Sequence, residues 1–416
     1  MSLYFDAASI ADEQIPELAL LQEVLGKIDT EKYSYGELVN EVNIETGDLH
    51  FETPVITDKD VDSTYQRKFA VKAKILQDKL PEAFDLIHEI LYRTRFDNKK
   101  RLHALVKEIK SRIEITFNQN GQSVALRRVG SYFSESAAYR ERLRGLSFYQ
   151  FIRDLDAQFD ARFEAIAAEL KQLAAALFDK KRLIVGLTGD RSIFTDAAKY
   201  FDRLGLAVVS QSPDAPQPIH LPTEQNEGLM APSKVQYAAK GANFRELGYN
   251  YSGSLLVLKR VLTLDYLWNR IRVMGGAYGC GISLESSGNF IFWSYRDPNL
   301  RETLAIYDKA DKFAASFKAD EFDMTKYIIG TIASLDTPLT PSGKGELADA
   351  RYFAGVTQQD LQRIRDEVLT TKPEELRRYA DLLKAIAGQN HFCVFGSEAK
   401  IQENKDLFEH CRDTFG

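Results

Sequence analysis

The sequence predicts an α+β protein of two tandem homologous domains, each a mainly antiparallel sheet packed with helices. Its 416 residues exceed what one hydrophobic core usually organises, so two domains of roughly 200 residues each are expected. A seam divides the chain. Five of its twelve prolines, Pro213, Pro216, Pro218, Pro222 and Pro232, crowd between Ser210 and Ser233. Proline fixes φ and removes a backbone donor, so neither helix nor central strand is expected there. The two sides of the seam then repeat one order of signals. Tyr35, Thr46-Gly47 and Leu49-His50-Phe51 match Tyr266, Gly275-Gly276 and Ile282-Ser283-Leu284, 231 positions on (266 − 35), which reads as a duplicated unit. The expected boundaries are a first domain over 1–212, a proline-rich linker over 213–232 and a second domain over 233–416.

The elements follow in chain order. Met1-Ser2-Leu3 is equally readable as a cloning remnant. Ile15, Leu18, Leu21, Leu25 and Ile28 recur at helical spacing, which predicts a helix between Ile10 and Ile28. Ser34 and Glu37 form a capping-box pair that opens a second helix, stopped at Thr46-Gly47. Asp48 to Val55 and Phe69 to Ile75 alternate like half-buried strands, and Ala83 to Tyr92 returns to helix. Leu102, Leu105, Ile109 and Ile113 predict another helix. Leu155 to Leu177 steps in threes and fours, and reads as the longest unbroken helix of the chain. Arg182 to Leu187 reads as a short buried strand. Past the seam come a strand at Val235 to Lys240, a helix at Ser254 to Arg272, a strand pair and a helix at Leu300 to Phe317. Met324 to Leu335, a loop holding Pro338, Pro341, Gly343 and Gly345, and two helices follow. The last of these is expected to open on a Thr371–Glu374 capping box, and His391 to Phe395 closes as a strand.

A net charge of −6 and a pI near 5.7 argue against nucleic acid or an anionic membrane as the principal partner. No apolar run approaches the roughly 20 residues of a membrane span, and the first residues lack a secretory signal's basic and apolar regions. Three scattered cysteines, Cys280, Cys393 and Cys411, form no Cys-x-x-Cys pair. Neither a disulfide framework nor a structural zinc site is indicated, and a reducing compartment is expected, bacterial cytoplasm before an organelle matrix.

The densest information lies between Tyr266 and Asn299: a helix carrying Asn269 and Arg272, a Gly275-Gly276 corner, Tyr278, and a hairpin (Gly281 to Glu285, Asn289 to Tyr295) closed by Ser286-Ser287-Gly288. Glycine tolerates the positive φ that ends a helix. Together with Lys234 to Phe244, Tyr251-Ser252-Gly253 and Ser294 to Asn299, this run resembles the pitrilysin and insulysin family of inverted zinc metallopeptidases, in its presequence-protease branch. The resemblance extends more weakly over nearly the whole chain, and only to the C-terminal half of such an enzyme. It implies four metallopeptidase-like α+β domains in the complete enzyme, of which the third and fourth are here. It also implies that Arg272 and Tyr278 reach the substrate peptide, Tyr278 as a catalytic donor, with Asn269 and Gly276 as lesser, more structural candidates. Met274 stands where relatives often carry a polar or charged residue.

A zinc peptidase of this kind needs His-x-x-Glu-His on one helix. The six histidines (His50, His88, His103, His220, His391, His410) are nowhere closer than 15 positions (103 − 88), and His88-Glu89 lacks its second imidazole. The glycines at 276, 279 and 281 follow a helix and precede a strand, the reverse of a phosphate loop. No Gly-x-Ser-x-Gly elbow is present. The resemblance therefore implies zinc in the full enzyme, bound by the N-terminal half, and no metal ligands in this chain. The expected role is the non-zinc half of an endopeptidase that degrades unstructured oligopeptides in a closed chamber, inactive alone. Its partners would be the N-terminal catalytic half, in the same polypeptide or as a separate subunit, and a peptide substrate. An apolar inner face can promote self-association. A stand-alone non-catalytic subunit and a peptide-binding scaffold are the alternatives. The aromatic residues Trp268, Phe290, Phe292, Trp293 and Tyr295 could line a peptide cavity, although alternation along a strand assigns about half of such residues to the core.

Overall fold

The computed structural model describes residues 1–205 and 217–416. Pro213, Pro216 and the expected boundary at 212/213 lie outside the described residues. The first sheet comprises β1 (Ser2–Asp6), β2 (Asp48–Glu52), β3 (Val55–Thr57), β4 (Tyr65–Lys74) and β5 (Ile184–Gly186). Its order is β2-β4-β1-β5 with β3 also on β4, every pair antiparallel. The second comprises β6 (Glu227–Ala231), β7 (Gln236–Asn243), β8 (Gly279–Leu284), β9 (Asn289–Tyr295), β10 (His391–Ser397) and β11 (His410–Asp413). Here the order is β11-β6-β10-β7-β9-β8, with β6 parallel to both its neighbours and the other pairs antiparallel. Helices cover both sheets, so the architecture is α+β.

Several elements match the periodicities. Ser34 caps the Tyr35–Glu45 helix in a full capping box with Glu37. Pro54 splits the alternating stretch after it into β2 and β3. The apolar stripe of the first helix lies on Ile15–Val24, where Ile15, Leu18, Leu21 and Val24 are fully buried.

Other expectations are corrected. Glu227–Ala231, inside the stretch thought unable to hold a strand, is an interior strand of the second sheet. The prolines at 222 and 232 flank it without entering it. Ser2 and Leu3 belong to β1, which lies between β4 and β5, with Leu3 and Phe5 fully buried. The expected 155–177 helix breaks at Gln158, whose carbonyl accepts from the amides of Ala161 and Arg162. Both pieces bury the same face, so periodicity alone carries through the break. The longest helix is instead Lys99–Gln119. β5 is an exposed edge and not a buried strand. The Pro341/Gly343 stretch is helical, because Thr340 caps Gly343 and Pro341 sits where a missing N–H costs nothing. Leu300 to Phe317 divides into Arg301–Tyr307 and Ala310–Ala315. Thr371 makes no capping box; its hydroxyl donates to the Glu367 carbonyl, and Lys372 occupies the N-cap without a side-chain bond.

One core fills the first unit around β1, β4 and their helices. A second lies between one face of the larger sheet and the helices after residue 253. The other face of that sheet, Leu229, Tyr237, Ala239, Ile291, Cys393 and Phe395, packs against Phe117, Val124, Ala125, Val129 and Tyr132 from the first half of the chain. The Gly121–Ser131 helix crosses there so closely that a Cβ on Gly121 would lie 2.4 Å from Phe395 Cδ1. Beside this contact the fully buried Glu227 accepts from Arg128 Nε and from the Tyr132 hydroxyl (2.8 Å), and Arg412 Nη2 lies 2.7 Å from its other oxygen. Burial alone would lower the Arg128 pKa, but Glu141 and Glu227 override it and hold the guanidinium charged.

Candidate functional site

The site is built where the Ser254–Val261 helix changes pitch. From Leu262 to Val273 the hydrogen bonding widens to i→i+5, and Met274 N–H continues it by donating to the Asn269 carbonyl at 3.0 Å. Buried residues shift accordingly, from Leu255, Leu258 and Val261 to Leu262, Tyr266, Leu267 and Ile271, at the wider steps a π-helix needs to keep one face inward. Such segments are rare and concentrate at functional sites. This one carries Trp268, Asn269 and Arg272 on its outer side, with the Arg272 guanidinium 3.9 Å from the centre of the Trp268 ring, a cation–π contact.

The helix ends in a left-handed (αL) cap. Ala277 N–H donates to the Ile271 carbonyl and Gly276 N–H to that of Arg272, both at 3.0 Å, with Gly276 at φ +81°. Gly276 is thus explained by backbone geometry, and Asn269 spends its amide donor on the Asp265 carbonyl at 3.0 Å. The corner is braced from 24 positions away by Asn299, whose Nδ2 donates to the Gly275 carbonyl at 2.6 Å. Asn299 is held in turn by Asp297, fully buried, which accepts from the Asn299 amide at 2.9 Å and the Thr303 hydroxyl at 2.7 Å. Arg296 completes the turn at φ +48°, a left-handed conformation rare outside glycine.

Tyr278 follows at once. Its N–H donates to the Tyr295 carbonyl at 3.1 Å, its ring meets Tyr295 edge-on at 5.8 Å, and the residue is 68% exposed. Among the described residues neither the Tyr278 hydroxyl nor the Arg272 guanidinium has a hydrogen-bond or ion-pair partner. Next to them Cys280 is inert: burial, aided by Asp297 and opposed by Arg272, pushes its thiol up to about 12. The aromatic residues divide as alternation requires. Phe290 and Phe292 are core, whereas Trp293 and Tyr295 are half-buried on the opposite face. Trp268, Arg296, Asp297 and Asn299 were not singled out as site residues by the sequence. Trp268 and Arg272 are i, i+4 neighbours, a pairing that was readable.

Four of the six histidines are engaged elsewhere. His50 Nδ1 lies 2.9 Å from Asp48, His88 Nδ1 2.8 Å from the Leu204 carbonyl, His103 Nε2 3.1 Å from Asp156 and His220 Nδ1 3.0 Å from Asp12. Among the described residues no group of three or more His, Cys, Asp or Glu is arranged to hold a metal ion.

Two family profiles match. One, for the region associated with subfamily C of the M16 peptidases, covers residues 1–155, and the other, "PreP C-terminal domain", covers residues 226–395. The chain belongs to the pitrilysin-type M16 peptidases, matching their C-terminal half. It is 33% identical to Protein HypA of Clostridium perfringens, covering 99% of this chain and 42% of that protein. It is 29% identical to presequence protease 1, chloroplastic/mitochondrial, of Arabidopsis thaliana, covering 97% and 38%. The chain thus spans about two fifths of the length of these relatives. The crystal structure of the inactive domain of a peptidase M16 from Pseudomonas fluorescens superposes with a TM-score of 0.60 at 15% identity, over 95% of this chain and 92% of that one. That likeness concerns the fold.

Proposed function

We infer that this chain is the substrate-gripping, non-zinc half of an oligopeptide-degrading metalloendopeptidase, with Arg272 and Tyr278 as its contribution to the reaction. The observation that carries this reading is the pair of unpartnered polar groups at the corner. A planar guanidinium offers forked donors to the carbonyls of an extended peptide, and stacking on Trp268 limits the directions it can take. A phenol held on a strand start donates to the scissile carbonyl as it becomes an oxyanion, a contact worth about 2.7–4 kcal/mol in comparable sites. Asn269 and Gly276 act by shaping the helix end. Zinc, when bound by an N-terminal half, would supply Lewis-acid polarisation and an activated water. The expected boundary at 212/213 stays part of this reading, whereas β6 moves the start of the second unit ahead of residue 227; the N-terminal half remains the partner and an unstructured peptide the substrate.

The test is peptide hydrolysis on mixing this chain with a zinc-bearing N-terminal half of the family. Cleavage is expected only with both present, and Tyr278→Phe should reduce kcat by about 10²-fold or more. An active mixture indifferent to Tyr278→Phe would make this half a wall and lid only.

A further inference from the structure

A half-buried ammonium without a counter-charge is costly, because desolvation disfavours the charged form and nothing offsets it. Lys259 is such a group. It stands half-buried in the last turn of the Ser254–Val261 helix. Among the described residues its ammonium has no hydrogen-bond or ion-pair partner. Burial alone lowers its pKa, with no carboxylate near enough to oppose the shift.

Lys259 lines a cleft of about 240 Å³ between that helix, its π-helical continuation and the Glu321–Leu335 helix. Leu256, Leu264 and Leu335 form apolar walls, and the latter two are exposed. The polar groups divide into spent and free. Thr331 Oγ1 donates to the Tyr327 carbonyl at 2.8 Å, and Ser334 Oγ to the Gly330 carbonyl at 2.9 Å. Arg260 Nη1 donates to the same Gly330 carbonyl at 3.1 Å, and the guanidinium meets no carboxylate among the described residues. The Thr263 hydroxyl has no partner among them either. It stands four positions after Lys259, a spacing that puts neighbours on one helix face. Among the described residues no Asp or Glu lines the cleft.

A few convergent polar groups within apolar walls are the make-up of a small-molecule site. Two cations and no acid fix the ligand's sign as negative. One compact ammonium and one hydroxyl suit the two oxygens of a carboxylate, whereas the leucine walls would give a fully hydrated inorganic anion nothing. We propose that this cleft binds a small monocarboxylate, its oxygens on Lys259 and Thr263 and its aliphatic body against Leu256, Leu264 and Leu335. At ~30 Å³ for each water displaced, the cleft holds a ligand of about eight heavy atoms, the size of a six-carbon acid. The site is separate from the corner, since Arg272 lies eight positions beyond Leu264 (272 − 264), and it does not rest on the function proposed above. It straddles the change of pitch, with Lys259 on the α side and Thr263 on the π side.

The probe is hexanoate, titrated into the ¹⁵N-labelled full chain at neutral pH and constant ionic strength. The amide signals of Thr263, Leu264 and Ser334 should shift saturably, with a Kd on the order of 0.1–1 mM. Hexanamide keeps the aliphatic body without the charge, and acetate keeps the charge without the body; each should bind about tenfold or more weakly. Lys259→Met should weaken hexanoate by about tenfold or more. It should melt no lower than the unchanged chain, because it removes an uncompensated charge. Thr263→Val should weaken binding several-fold. No saturation by about 10 mM hexanoate overturns the proposal. So does equal binding of hexanamide, which makes the cleft a plain apolar groove, or equal binding of acetate, which leaves an adventitious ion only. Both ligand comparisons use the unchanged chain, so they decide the matter even where a variant fails to fold.

Discussion

At the glycine corner, two side chains do different jobs and should separate kinetically. On the proposed function Trp268 would act on substrate only through Arg272, so Trp268→Ala should raise KM several-fold while kcat in the reconstituted enzyme changes little; Tyr278→Phe should do the opposite. Equal losses in both parameters for Trp268→Ala would mean that the stack holds the corner itself. A second residue sets a pH response. Burial, with a smaller push from Glu169, raises the Glu17 carboxyl to about 7, and one of its oxygens is buried without a partner. An acid whose pKa rises on folding favours the folded state below its unfolded value, and that contribution is lost as pH climbs through the folded value. Stability should therefore fall between pH 4.5 and about 7. Glu17→Gln should flatten that fall, gaining Tm at pH 8 and little at pH 4, as thermal melts across the range would show. Arg272 and Tyr278 were readable because their spacing sits inside a motif. Asn299 was not read as the brace of Gly275, since a contact spanning 24 positions exists only once strand and turn are built.

Among the elements, the Gly121–Ser131 helix is the one whose partner the sequence conceals. The sequence reading assigned it no element, and nothing in the period of its apolar positions says that the face belongs to the other half's sheet. Gly121→Ala should test the fit. With Phe395 and Tyr237 side chains at 2.4 and 2.5 Å from the added carbon, overpacking should cost about 1–3 kcal/mol despite alanine's better helix propensity, read by urea unfolding. A neutral or stabilising result would mean that the aromatic rings move aside freely. The π-helix was legible only as helix: steps of three and four among its apolar residues announced a helix without announcing the wider pitch. Strand edges were likewise hidden, although the duplicated order of signals placed β2 and β8 at equivalent positions before either could be known to end a sheet.

Across the whole molecule, the two halves share a core and a buried ionic cluster, so they should unfold as one. Both tryptophans, Trp268 and Trp293, report on the second half, whereas far-UV circular dichroism reports on the entire chain; their transitions should coincide. Glu227→Ala should shift both together, costing about 3–5 kcal/mol because it takes the nearest counter-charge from the buried Arg128 guanidinium. Separate transitions would show that the junction is an ordinary contact between independent domains. Proline suggested a seam and repetition a tandem order, but the packing of a first-half helix on the second sheet leaves no local trace. That packing has a practical corollary. A chain cut between residues 205 and 217 would yield a front piece displaying a greasy helix and a back piece with a bare sheet face, each insoluble or sticky alone and each the other's natural cover. Such pieces are suited to act as a complementing pair, whose reunion restores a fold neither can keep.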